Sequence, residues 1–372
     1  MTNKLHERET HSDARETIVI TGASGLIGSR IVGQLHHKYN LVGLDLESPQ
    51  DAELPLDHIL TDLTSDESTD DAFEQIRERH GNRITSLIHL AAYYDFSGEP
   101  SPLYEELTVE GTRRVLRALQ KFKFQVEQIV FSSTLLVMKP EEQGRRVSEL
   151  SETRAEWAYP QSKLRTEQVL RDEHGVIPVV ILRIAGVYDE QCHSLPLSQQ
   201  IARIYERQLE SHVFPGNTTH GQALVHLDDL AQCFEQTINR RHRLDPISLF
   251  LIAEPDVMSY GELQDQLGQL IHGEQWTTIR IPKPVAEAGA WVQNKISSDD
   301  DKPFIKPWMV RLADDHYAAT IAHAWIKLGW HPKHRLRETL PDMIDFLKRD
   351  PQRFYEENGL PVTDEVAEAS VH

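Results

Sequence analysis

The sequence predicts an α/β fold, a doubly wound parallel sheet with helices on both faces, joined to a smaller, mostly helical lobe. Three observations predict it. Short, β-branched apolar runs alternate with helix-period segments through the first half of the chain. A glycine-rich turn, Gly22-x-x-Gly25-x-x-Gly28, links the first such run to the first such helix. Beyond Arg183 the rhythm changes: prolines become frequent and longer connections separate the helices. Alternating strands and helices suit a parallel sheet, because each parallel neighbour needs a crossover that brings the chain back to the same edge.

Taken in order, Thr17-Ile18-Val19-Ile20 is an apolar, β-branched run with the look of a strand buried on both faces. Leu26, Ile27, Ile31, Val32 and Leu35 then recur at helical spacing. Leu41 to Leu44 makes a second strand ending on Asp45, and His58 to Leu60 a third ending near Asp62. Phe73 and Ile76 mark an amphipathic helix, followed by a fourth strand over Ile84 to Leu90. A helix is expected over Val109 to Leu119, a fifth strand over Gln128 to Phe131, a helix over 160–171 and a sixth strand over Val179 to Leu182. Later, Ala223 to Leu230 reads as a strand running into a helix, Ser248 to Ile252 as a strand and Tyr260 to Ile271 as a helix.

These elements divide the chain into a polar leader (1–16), a sheet domain (17–185, with returns at about 223–250), a substrate-binding lobe (186–222 and 251–348) and a C-terminal tail (349–372), which is acidic and loose after Pro361. Ser297 to Asp301 is expected to be a solvated acidic loop. Trp291, Trp308, Trp325 and Trp330 are expected in the core or at the lobe interface.

Composition excludes several function classes. The chain has 372 residues and is 39% hydrophobic, enough for a sizeable core. With 39 Lys+Arg against 58 Asp+Glu, its net charge is −19, which argues against a nucleic-acid partner, since phosphate backbones are held by neutralising cations. The two cysteines, Cys192 and Cys233, have no metal or redox spacing and suit a reduced compartment. Cys192 is expected to be a small buried filler. The histidines show no zinc spacing, so no metal is expected. With no apolar run of spanning length and no signal-peptide core, the expectation is a cytoplasmic protein without a membrane partner, acting on a small molecule.

The glycine turn sits where a dinucleotide pyrophosphate would bind. Its glycines allow a tight turn, close backbone approach and close packing of helix on strand, and the helix N-terminus presents free N–H groups. Asp45 lies 23 residues beyond Gly22 at a strand end, where a carboxylate accepts ribose hydroxyls and repels a 2′-phosphate. NAD is therefore expected over NADP.

Tyr159 and Lys163 stand four residues apart, on one face of a helix, and no other YxxxK occurs in the chain. A free tyrosine titrates near ~10, too high for efficient proton exchange at neutral pH. A lysine charge and an oxidised nicotinamide beside it would lower that value. Thr134, 25 residues upstream, is the expected hydroxyl for the substrate oxygen, with Ser133 as the fallback.

Together with His89-Leu90-Ala91-Ala92, Gly111-Thr112, Phe131-Ser132-Ser133-Thr134 and Asp62-Leu63, these motifs resemble the extended short-chain dehydrogenase/reductase superfamily. Within it the chain is most similar to the NAD-dependent epimerase/dehydratase family, through about residues 17–240 and more weakly to about 335. The resemblance implies a Rossmann fold, catalysis by Thr134, Tyr159 and Lys163, and a homodimer. It implies NAD held by Gly22, Ser24, Gly25, Leu26, Ile27, Gly28, Asp45, Asp62, Leu63, Ala91, Ala92, Ser132, Tyr159 and Lys163. His226 and Asp228 match a segment that is structural in the family.

The chain departs from the family's nucleotide-sugar pattern at Thr108, Glu110, Met138-Lys139 and Ala185. Ser133, Arg183 and Ala185 are the substrate-side candidates. Three activities stay open. They are an epimerase or dehydratase on a sugar-like substrate, a simple alcohol dehydrogenase or ketone reductase on a steroid-like or flavonoid-like molecule, and a non-catalytic dinucleotide-binding protein.

Overall fold

A computed structural model describes residues 15–49, 55–96, 98–288, 306–362 and 366. Its centre is a seven-stranded, fully parallel sheet. In chain order the strands are β1 (Thr17–Thr21), β2 (Asn40–Asp45), β3 (Asp57–Leu60), β4 (Ser86–His89), β5 (Ile129–Thr134), β6 (Val179–Ile184) and β7 (Ile247–Ile252). Their spatial order is β7-β6-β5-β4-β1-β2-β3. The order reverses between β1 and β4, and in open α/β sheets the crevice at such a reversal is where ligands bind.

Side-chain alternation along β1 assigns its residues to two cores. Ile18 and Ile20 face α1 (Leu26–Leu35) and α6 (Leu227–Asn239), joining Ile31, Val32, Leu35, Phe234 and Ile238. Val19 faces the opposite layer with α2 (Asp66–His80), α3 (Glu110–Lys121) and α4 (Ala158–Glu173), among Phe73, Ile76, Leu116, Leu119 and Leu170. Each fully buried side chain of this size contributes roughly 1.5–3 kcal/mol. A sheet covered this way has no polar face, which is why its strands read as continuous apolar runs.

A third core builds the lobe. It joins α5 (Leu195–Tyr205), α7 (Tyr260–His272), α10 (Leu336–Arg349) and α11 (Pro351–Glu357) around Ile201, Leu267, Trp276, Met343 and Phe354. Helix α7 starts on a reciprocal Ser259–Glu262 capping box and ends at left-handed Gly273. Two short helices, α8 (Pro307–Leu312) and α9 (Ala322–Leu328), complete the described elements used below.

Several expectations change. The fourth strand is broken: Arg83–Ile84 pairs with Gln125–Val126, and only Ser86–His89 joins the main sheet. The helix expected from Val109 is preceded by a π-helical turn, Tyr104–Val109. The first part of the C-terminal tail forms α11, with Asp350 capping its first turn and Phe354, Tyr355 and Leu360 buried in the lobe core, while most of the stretch expected to be loose after Pro361 lies outside the described residues. Trp330 is core, but Trp325 is 64% exposed. Trp291, the Ser297–Asp301 loop and nearly all of the leader fall outside the described residues.

Candidate active site

The glycine turn follows β1 at the sheet's reversal point. Gly22 has φ +74°, and a Cβ there would lie 3.0 Å from the Ala91 amide nitrogen, where the chain leaves β4. A Cβ on Gly28 would lie 2.2 Å from the Gly22 carbonyl oxygen. Both positions therefore require glycine, one for its backbone conformation and one for space. Gly25 caps α1 with no side chain, so the amides of Leu26, Ile27 and Gly28 open the helix with no side-chain acceptor. This is the donor set that a pyrophosphate takes.

The flanking residues complete the cradle. Asp45 ends β2 half-buried, and its carboxylate accepts the Ser24 amide at 2.9 Å and the Leu46 amide at 2.8 Å. Two backbone donors hold this carboxylate at the edge of the turn, as a ribose acceptor requires. Asp62 is less free, since its Oδ1 accepts both the amide and hydroxyl of Thr64. Leu63 is buried, and its carbonyl accepts from Arg114. Ala91 donates its amide to the Thr21 hydroxyl at 3.2 Å, and Ala92 stands half-buried beside it. The donor set, the Cβ-free contacts and the placed carboxylate fit NAD.

Lys163 lies 2% exposed beneath this cleft, its Nζ donating to the Ser132 carbonyl at 2.7 Å. The ammonium sits 4.9 Å from the Phe131 ring centroid and 5.8 Å from that of Tyr159. Burial pushes its pKa down to about 7, and Glu167 opposes the shift. His89 is held neutral between the Thr21 and Thr112 hydroxyls at 2.7 and 2.8 Å. Burial and the Lys163 charge lower its pKa to about 3. Thr134 accepts the Leu136 amide at 3.2 Å, leaving its hydroxyl proton for an incoming oxygen.

The polypeptide does not lower the pKa of Tyr159 as expected. Burial, and secondarily Tyr104, push the phenol above its ordinary value. What the chain supplies is position, with the neighbouring amine drawn down towards neutrality.

The substrate-side candidates go elsewhere. The Ser133 hydroxyl donates to Glu167 Oε1 at 2.5 Å. Arg183 grips the same carboxylate with Nε and Nη2, at 3.0 and 2.7 Å, while its Nη1 meets Met138 Sδ. All three side chains are buried, so this is an internal ion pair with its donors and acceptors engaged. Ala185 lies in the core, its amide donating to the Ile252 carbonyl. Cys192 is buried in the lobe core, as expected of a filler.

Sequence reasoning missed a set of aromatic rings. Tyr94 meets the Tyr159 ring edge-on at 4.8 Å, Trp157 lies 5.5 Å from it, and Trp308 reaches Trp157 at 5.0 Å from the lobe. The Tyr93-Tyr94-x-Phe96 run after β4, and Trp157 two residues before Tyr159, were the available signal. Also missed was a stack of His226 on His334, with ring centroids at 4.0 Å and planes at 21°. His226, Asp228 and His334 bring one ligand atom each within 4.8 Å of one another, and Asp228 also pairs with Arg30.

Comparison with known proteins agrees with this geometry. The NAD dependent epimerase/dehydratase family model matches residues 18–252. A sterol-4-alpha-carboxylate 3-dehydrogenase (decarboxylating) of Candida albicans is 22% identical, covering 91% of this chain and 99% of that protein. A dihydroflavonol 4-reductase of Gerbera hybrida is 26% identical, covering 59% of this chain and 64% of that protein. Among solved structures, MoeE5 in complex with UDP-glucose and NAD superposes with a TM-score of 0.66 at 22% identity, covering 90% of this chain and all of that one. UDP-glucose 4-epimerase of Thermotoga maritima gives the same TM-score and coverage at 18% identity. The chain belongs to the NAD dependent epimerase/dehydratase family, as an enzyme of the extended short-chain dehydrogenase/reductase type whose cofactor is NAD.

Proposed function

We propose that this enzyme catalyses reversible oxidation and reduction at a carbon bearing a hydroxyl or keto group, with Tyr159 as the acid/base. NAD, when bound, supplies the hydride acceptor or donor. The glycine turn and the first amides of α1 hold its phosphates, and Asp45 takes the adenosine ribose hydroxyls. The Tyr159 phenol takes the proton from the substrate hydroxyl on oxidation and returns it on reduction, while the Thr134 hydroxyl positions the same oxygen. Lys163 places an amine that titrates near neutrality at the foot of Tyr159. The observation carrying this reading is the Lys163 ammonium, buried, bonded to the Ser132 carbonyl and facing the Tyr159 ring.

The reading is of a simple dehydrogenase or reductase, which is what two relatives are named. Epimerisation or dehydration of a sugar-like substrate is the second reading, favoured by the UDP-glucose-bound fold neighbours. A dehydrogenase forms NADH stoichiometrically with product, whereas an epimerase turns over with no net NADH. A cytoplasmic homodimer belongs to the same proposal, and native mass spectrometry counts subunits and retained cofactor together. Tyr159→Phe is expected to keep NAD affinity and lose turnover by about 100-fold or more. Undiminished turnover in that variant would remove Tyr159 from the mechanism.

A further inference from the structure

The rings around Tyr159 form a wall assembled from three separated segments. Tyr94 and Phe96 come from the loop after β4, Trp157 from the approach to α4, and Trp308 from α8 of the second lobe. Beyond the contacts already given, Phe96 meets Trp157 at 5.7 Å and Trp308 at 6.3 Å. Trp308 presses so closely on the loop that a Cβ on Gly98 would lie 2.4 Å from its indole nitrogen. Behind the wall, the Thr108 hydroxyl accepts the Tyr93 amide at 2.9 Å, and Tyr104 donates to the Asp95 carbonyl at 3.0 Å. Thr108 is one of the departures from the nucleotide-sugar pattern, and here it pins the loop that carries the rings.

These rings are not sealed in a core. Tyr94 is 52% exposed, and Phe96, Trp157 and Trp308 are half-buried. Four large rings left partly in water beside a reactive phenol are the mark of a ligand surface. The charges around them do not suit a diphosphate. The cations flanking the start of α4 are already paired, Arg154 with Glu156 and Arg165 with Glu105, both at 2.6 Å.

We infer that this wall selects an apolar, fused-ring molecule carrying one hydroxyl or keto group, with Tyr94, Phe96, Trp157 and Trp308 as its specificity residues. The inference rests on the proposed proton role of Tyr159, which fixes where the substrate oxygen points. A rigid ring system stacks on such a wall while giving up little conformational freedom on binding.

The test titrates the NAD-saturated enzyme with indanone, following tryptophan fluorescence, with UDP-glucose in parallel. Indanone is expected to quench with a Kd about tenfold or more below that of UDP-glucose. Trp308→Leu and the surface change Tyr94→Ala are each expected to weaken indanone about fivefold or more, with melting temperatures confirming that both fold. Tyr159→Phe should bind indanone as the wild type does yet fail to oxidise indanol. Tighter binding of UDP-glucose, or an unchanged indanone Kd in both wall variants, overturns the inference. Normal indanone binding together with wild-type indanol oxidation by Tyr159→Phe overturns the proton assignment alone and leaves the wall standing.

Discussion

Helix α4 carries one buried cation, Lys163, and packs against another, Arg183, and the chain satisfies the two in opposite ways. Arg183 is 4% exposed and Lys163 2%, so burial alone does not separate them. The Arg183 guanidinium is gripped by the Glu167 carboxylate through two hydrogen bonds, with Ser133 donating to the same acid. Lys163 has a backbone carbonyl and two aromatic faces. A paired, hydrogen-bonded charge is fixed, whereas a buried charge with only a neutral acceptor sits close to giving up its proton. The first arrangement holds β5, β6 and α4 together. The second makes a group that responds to its neighbours, as a proton-transfer site requires.

The comparison is broken most severely from the Arg183 side. Glu167→Gln leaves a buried guanidinium short of its counter-charge and is expected to cost about 3–5 kcal/mol of stability. The joint replacement Glu167→Leu with Arg183→Met should recover most of that loss in urea denaturation. A single variant as stable as wild type would mean that the pair is not load-sharing between the strands and α4.

From the other side, Lys163→Met should lower kcat/KM by about 100-fold, roughly 2.7 kcal/mol, with little loss of stability. Equal losses of activity and stability would make Lys163 a second structural cation. The pH response sharpens the contrast. The folded pKa of Lys163, about 7, lies below its ordinary value of 10.5, so between these values the unfolded chain binds the extra proton. The penalty for burying the ammonium is complete below pH 7 and relieved as pH rises towards 10.5. Wild type should therefore gain stability relative to Lys163→Met across that window, by at most about 1.4 kcal/mol per pH unit. A flat or falling difference in denaturation free energy would contradict the burial argument.

The smallest expected effect lies at the cofactor edge. Asp45→Asn should narrow the preference for NAD over NADP by about tenfold, roughly 1.4 kcal/mol, in calorimetric titration. An unchanged ratio would move the discrimination elsewhere.

What could be read from the sequence follows the same divide. The sheet was legible because strands covered on both faces become apolar runs, and the glycine turn because steric demands at Gly22 and Gly28 leave no substitute. Tyr159 and Lys163 were legible because helical spacing places them on one face. Ser133 was misjudged, although strand alternation already sets it on the opposite face from Ser132 and Thr134. Arg183 needed Glu167, from a different element, to explain it. The aromatic wall has no period at all, since Trp308 reaches Trp157 and Phe96 only through the packing of the second lobe. Helix α11 carries its own signal in Asp350-Pro351, a cap followed by proline at the first helical position.

The central claim is that Tyr159 moves the proton and Lys163 governs when it can. The pH dependence of kcat/KM for indanol oxidation by the NAD-loaded enzyme tests it most directly, in wild type, Lys163→Met and Tyr159→Phe. The account predicts a rising limb in wild type, the same limb displaced upward by about one pH unit or more in Lys163→Met, and a low, pH-independent rate in Tyr159→Phe. A limb that persists unmoved in Tyr159→Phe would contradict it.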